Sequence, residues 1–199
     1  MFFITASDDR PNGWVNLSDA NHWPGWLMHN IPADLHPDVR TRLGSNLKHV
    51  LVGLELKKAL IQPHAQGGGV LFEPYYQTLI FEFCVGAFSV LEGLGSAHWL
   101  SQQHHDGADH GKINRNVWRP ALCAVYDPAG DRGLDAAVNQ TAEVRDKLHQ
   151  DQIGARTAID WHAMGYEAAF IPADLSIRTL LRRNSDALPE TTNLAGDPA

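Results

Sequence analysis

Residues 75–100 read YYQTLIFEFCVGAFSVLEGLGSAHWL. The stretch is apolar on most of its faces, and its length suits a long helix rather than a strand. It also holds Glu82, Glu92 and three glycines. A membrane span of about 20 residues rarely tolerates that load. The pattern therefore predicts a buried helix at the centre of the fold, from about Tyr75 to Leu100. Glu92 lies within FSVLEGLG, where burying a lone carboxylate is costly. An arginine from another helix is the natural partner.

On the N-terminal side, Pro37 and Asp38 suit a helix start: proline fits the first turn and an acid complements the dipole there. From Val39 onward, Leu43, Leu47, Val50, Leu51, Leu54 and Ile61 follow the three-four spacing of one helical face. Pro63 should end that helix. QGGG at 66–69 reads as a joint. It is no phosphate loop, because no Gly-Lys-Ser/Thr follows.

On the C-terminal side, a helix is expected over Arg115–Tyr126, with Pro120 as an alternative start. DPAGDRG at 127–133 reads as a turn. A fourth helix is expected from Leu134 to about Gln150, a further helical segment over Ala158–Phe170, and a last helix after Pro172 over Ala173–Arg183. IPADL occurs at 31–35 and again at 171–175; five residues are too few to argue duplication. No useful strand alternation is present. The expectation is an all-α bundle of about five helices over 31–183. An irregular arm, 1–30, would carry Trp14, Trp23 and Trp26 and cover either the domain's own core or a second subunit. A polar tail, 184–199, should be flexible.

At 199 residues, 44% hydrophobic and 20% charged, the chain suits one globular domain. Its net charge of −7 argues against a broad electrostatic grip on nucleic acid but allows a small phosphate site built from a few arginines. Cys84 and Cys123 sit in apolar sequence and read as free thiols of a reducing compartment. MFFITASDDR does not resemble a secretory signal. A cytoplasmic protein without a membrane span is the expectation.

The stretch that bears on function is VRDKLHQD, 144–151. On a helix, Arg145 and His149 are one turn apart on one face. A guanidinium fork suits phosphate oxygens, and an imidazole exchanges protons near neutrality. Such a pair can cleave RNA without metal: the histidine acts on the 2′-hydroxyl or the leaving oxygen, and the arginine stabilises charge on the phosphorus centre. Asp146 could orient either group. The plain alternative is a solvated helix end whose cations complement the dipole.

This stretch resembles the signature of the HEPN superfamily, small α-helical domains named for higher eukaryotes and prokaryotes nucleotide-binding. That signature is an arginine, a polar residue, a short spacer and a histidine. Arg145, Asp146, Lys147, His149 and Asp151 match the letters of many bacterial members. The order of elements is similar as well, with a long apolar helix carrying a glutamate, here Glu92, ahead of the Arg/His helix. The likeness covers roughly 40–183 in layout and about eight residues in motif. The family usually places four to six residues between Arg and His, and this chain places three. The resemblance implies a metal-independent endoribonuclease, or an RNA- or nucleotide-binding module, of a bacterial toxin or defence system. It further implies a homodimer whose Arg/His helices meet at a two-fold axis, and a neutralising protein partner. No cofactor is implied. Members without the full motif are typically binding or scaffold modules, so a non-catalytic scaffold forming a homodimer or protein interface is the competing reading.

Two other groups draw attention. His104, His105, Asp106, Asp109 and His110 are dense enough to suggest a zinc or nickel site, but HHDGADH matches no established ligand spacing. A polar loop is the plain reading. In WHAMGYE, 161–167, Trp161, His162 and Tyr166 could stack on a base, or face the core. Arg115, Arg119, Arg178, Arg182 and Arg183 are the other basic groups. The pair at 182–183 reads as a solvated helix end.

Overall fold

The computed structural model describes residues 4–5, 15–65, 73–147, 161 and 164–196, with backbone alone at 4–5, 15–16 and 63–65. The fold is an all-α bundle. Among the described residues the helices are α1 (Trp23–Asn30), α2 (Pro37–Ala65), α3 (Glu73–Gln102), α4 (Arg115–Tyr126), α5 (Leu134–Asp146) and α6 (Ile171–Leu181). Two-residue strands, β1 (Ile4–Thr5) and β2 (Val15–Asn16), pair in parallel ahead of them.

The long apolar helix is central, as its sequence requires. α3 packs against α2, α4, α5 and α6. Ile80, Phe83, Cys84, Ala87, Val90, Leu91 and Leu94 are all fully buried. By length and composition alone α3 could cross a membrane, but 56% of its most apolar window is buried inside the fold. Cys84 and Cys123 are free thiols.

Two glycines of α3 set how closely its neighbours approach. A Cβ at Gly86 would lie 2.9 Å from Leu54 Cδ2 on α2. A Cβ at Gly95 would lie 2.6 Å from Trp118 Cε3 and 3.0 Å from the Trp118 carbonyl oxygen on α4. The indole of Trp118 is fully buried on that glycine face, with Phe88 edge-on at 5.6 Å. This packing explains why α4 starts at Arg115 and tolerates Pro120 in its interior. Burial of Trp118 and its neighbours outweighs the backbone bond that proline removes.

Several boundaries differ from expectation. Residues 23–30, assigned to an irregular arm, form α1, with Pro24 in the first turn where its missing N–H costs nothing. Trp23 and Trp26 are fully buried and meet edge-to-face at 6.3 Å. They cover the chain's own core; Trp14 lies outside the described residues. Pro63 does not end α2, which runs to Ala65. α5 is described to Asp146 rather than Gln150, and 148–160 lie outside the described residues. A π-turn, Tyr166–Phe170, leads directly into α6, whose first turn holds Pro172. The two IPADL copies fold differently, as the linker after α1 and as the start of α6.

The tail also departs from the flexible reading. Residues 185–187 and 193–195 form 3-10 turns, and Leu194 is fully buried. Two buried charges of α2 hold this segment. Glu55 accepts a short hydrogen bond from the Ser18 hydroxyl and one from the Asn193 backbone N–H at 3.3 Å. Lys58 Nζ donates to the carbonyls of Gly196 at 2.9 Å and Leu194 at 3.4 Å. It also lies 2.8 Å from Asp174 Oδ1, while Arg178 Nε donates to Asp174 Oδ2 at 2.8 Å. Burial pushes the Asp174 carboxyl upward and the two cations pull against it.

Candidate functional site

Three elements converge on one polar cleft of about 400 Å³. α3 supplies Phe88 and Glu92, four positions apart and so on one face. The approach to α4 and its first turn supply Lys112, Asn114, Arg115, Asn116 and Val117; the end of α5 supplies Arg145 and Asp146. The Trp118–Gly95 contact brings the first turn of α4 beside α3. The end of α5 is fixed from its other terminus, where Asp127 accepts from the backbone N–H of Arg132 at 3.2 Å and Leu134 at 3.1 Å. Burial raises the Asp127 carboxyl, but those two N–H groups outweigh it and hold the carboxyl below the usual range.

Arg145 stands over the Phe88 ring, with Cζ 5.1 Å from the centroid. Its Nη1 donates to Asp146 Oδ1 at 2.9 Å. The other carboxylate oxygen, Oδ2, accepts from Arg115 Nη1 at 3.0 Å. One carboxylate thus bridges two guanidinium groups from different helices, one oxygen to each. Two oxygens of a phosphate can make the same pair of contacts. Burial raises the Asp146 carboxyl, and the hydrogen bonds and charges of Arg145 and Arg115 outweigh it and hold it below the usual carboxylate range.

The site is wet. The side chains of Arg115, Arg145 and Asp146 are 38%, 27% and 44% exposed. Ion pairs that open to solvent contribute about 0–1 kcal/mol each, so an incoming anion can displace Asp146 at modest cost. Lys112, Arg115 and Arg145 outnumber Glu92 and Asp146, which makes the cleft locally basic on a chain of net charge −7. The N-terminus of α4 has no side-chain cap, and its dipole adds to the pull on an anion.

The sequence-derived candidates divide. Arg145 and Asp146 come together in the cleft; His149 lies outside the described residues. Glu92 lines the same cleft, although no described cation comes within ion-pair distance of it, so the expected arginine partner is a neighbour rather than a contact. Arg115 and Lys112 were not singled out as site residues. Their signal is faint, the INRN segment at a helix start, and the pairing of Arg115 with Asp146 spans 31 residues.

Arg119 and Arg178 are held by Asp135 and Asp174. Arg182 and Arg183 are both exposed, as expected of a helix end, and Arg183 is in addition tethered: its guanidinium donates to the Val125 carbonyl at 3.2 Å and lies 5.7 Å from the Tyr126 ring centroid, and its own carbonyl accepts from Trp26 Nε1. Trp161 packs edge-on against Phe81, and Tyr166 stacks on Phe170 at 5.0 Å. His162 is outside the described residues.

The histidine-rich loop brings His105 and His110 ring to ring at 5.2 Å, with Trp99 against His110 at 5.3 Å. His105 Nδ1 is occupied by the Gly107 backbone N–H. Among the described residues no group of three histidine, cysteine or carboxylate side chains is arranged to hold a metal, so His104, His105 and His110 do not form the site considered for them. No family model, curated protein or solved structure matches this chain.

Proposed function

We propose that the chain is a HEPN-like RNA-binding domain that cleaves RNA without metal, with the Arg115–Arg145 cleft as its phosphate site. The observation that carries this reading is the bridged pair of arginines: two guanidinium groups, brought from different helices, converge on one anionic group at the mouth of a concave, locally basic cleft. In the reaction, the ribose 2′-oxygen attacks the adjacent phosphorus and its proton passes to His149. The bond to the 5′-oxygen breaks, that oxygen takes a proton from water, and a 2′,3′-cyclic phosphate remains. Arg145 and Arg115 stabilise the charge that builds on the non-bridging oxygens. His149 has this role from its place in the motif, four positions after Arg145.

The resemblance supplies the rest of the proposal: a homodimer, a neutralising protein partner and a place in a bacterial toxin or defence system. The test is cleavage of single-stranded RNAs in EDTA by the parent, Arg145→Gln and His149→Ala. Parent cleavage that both substitutions abolish supports the reading. Binding without cleavage by the parent reduces it to an RNA-binding module. Neither binding nor cleavage leaves the competing scaffold, in which Arg145 is simply neutralised by Asp146 and seated on Phe88.

A further inference from the structure

A second concavity lies away from that cleft, between α1 and α2. Its volume is about 380 Å³, within the range of small-molecule sites, roughly 300–1,000 Å³. The floor and lip are apolar. Leu27 and Ile31 are nearly buried, while Met28 stands at the edge with 69% of its surface exposed. Gly44 leaves the wall open: a Cβ there would meet only Ile31 Cδ1, at 3.7 Å.

The polar part of the lining is one-sided. It holds Arg40 and Lys48, with the hydroxyls of Thr41 and Ser45, and no carboxylate. Neither cation forms an ion pair with a described residue. Arg40 Nε is shut off from water and has no hydrogen-bond acceptor. The side chain as a whole is only half-buried, so its unpaired charge remains available at the wall of the groove. A groove this apolar, with its few polar groups at one side, calls for a ligand with one anionic head and a hydrocarbon body.

We propose that the α1–α2 groove binds a small amphipathic carboxylate, its hydrocarbon body on Leu27, Met28 and Ile31 and its head on Arg40. Lys48 supplies a second positive charge at the rim. The proposal is independent of the RNA reading, because no residue is shared between the two concavities.

The experiment is calorimetric titration of the full chain with decanoate below its micelle concentration. Decanol and decyltrimethylammonium serve as uncharged and cationic probes of the same chain length. Saturable decanoate binding at one site is expected, at least tenfold tighter than decanol, with none from the cation. Arg40→Gln should weaken decanoate at least tenfold. Gly44→Leu, which fills the groove from a helical position, should abolish binding while circular dichroism and the thermal midpoint stay near those of the parent. Equal binding of decanoate and decanol, or an unchanged affinity in Arg40→Gln, overturns the proposal. So does an absence of saturable binding by the parent. Self-association of the chain that Gly44→Leu reverses also overturns it, since the groove would then be covered by a second copy.

Discussion

Two places in the molecule use the same chemistry, a carboxylate held between two cations, in opposite surroundings. At Asp174 the partners are Lys58 and Arg178, and both Lys58 and Asp174 are sealed from water. At Asp146 the partners are Arg115 and Arg145, and all three are open to solvent. Distances do not separate the two sites, since the contacts lie between 2.8 and 3.0 Å in each. Solvent does. In the dry site the charges cannot separate without stranding one in the interior, so the triad fixes α2, α6 and the tail as one unit. In the wet site water and other ions compete for the charges, so on the proposed function the carboxylate is a placeholder for a ligand's anion.

The largest expected effect tests the dry half of this contrast. Asp174→Ala leaves Lys58 and Arg178 without their shared anion and should destabilise the fold by about 3–5 kcal/mol, read from urea or guanidinium unfolding. A loss below about 1 kcal/mol would place the dry triad in the same class as the wet one and remove the distinction. Next comes the packing that brings the wet site's helices together. Gly95→Ala puts a methyl group 2.6 Å from Trp118 Cε3 and 3.0 Å from backbone, so α4 must shift. A destabilisation of about 1–3 kcal/mol is expected, with weakened RNA binding alongside it.

The smallest stability effect belongs to the wet carboxylate and sharpens the contrast most. Asp146→Asn should change unfolding free energy by no more than about 1 kcal/mol. Its carboxyl is held below 3.8 when folded, so what it contributes is present above that value and is lost as pH falls through the folded pKa. The variant should therefore show a shallower acid limb of stability. Removing the competing negative charge should also tighten inorganic phosphate or RNA binding, measured by calorimetry near neutral pH. Weaker binding in Asp146→Asn would mean that the carboxylate positions the arginines rather than standing in for the ligand.

Much of the fold was legible because its signals are local. The apolar run of α3 and the three-four spacing of α2 are written within single segments, and α4 matched over Arg115–Tyr126. The misreadings arose where distant burial decides conformation. WPGW looks like a turn, but two fully buried indoles make it the start of α1. The tail is polar in sequence, and only the buried Glu55 and Lys58 on α2 show why it is held. The site divides the same way. Arg145 and Asp146 were readable because they are adjacent in one motif. Arg115 was not, because nothing in the sequence says that the start of α4 meets the end of α5.

The most direct test of the central claim, that Arg115 and Arg145 together hold an RNA phosphate, is the salt dependence of single-stranded RNA binding. Affinity falls with salt as counterions are released, with a log–log slope of about −0.7 for each phosphate neutralised on a single strand. Removing both guanidinium groups, in Arg115→Gln/Arg145→Gln, should flatten the parent's slope by about 0.7, one phosphate's worth, and each single substitution should weaken binding evenly across RNA sequences. A parental slope and affinity left intact by the double variant would contradict the account, because the bridge seen at Asp146 would then be an ordinary surface ion pair.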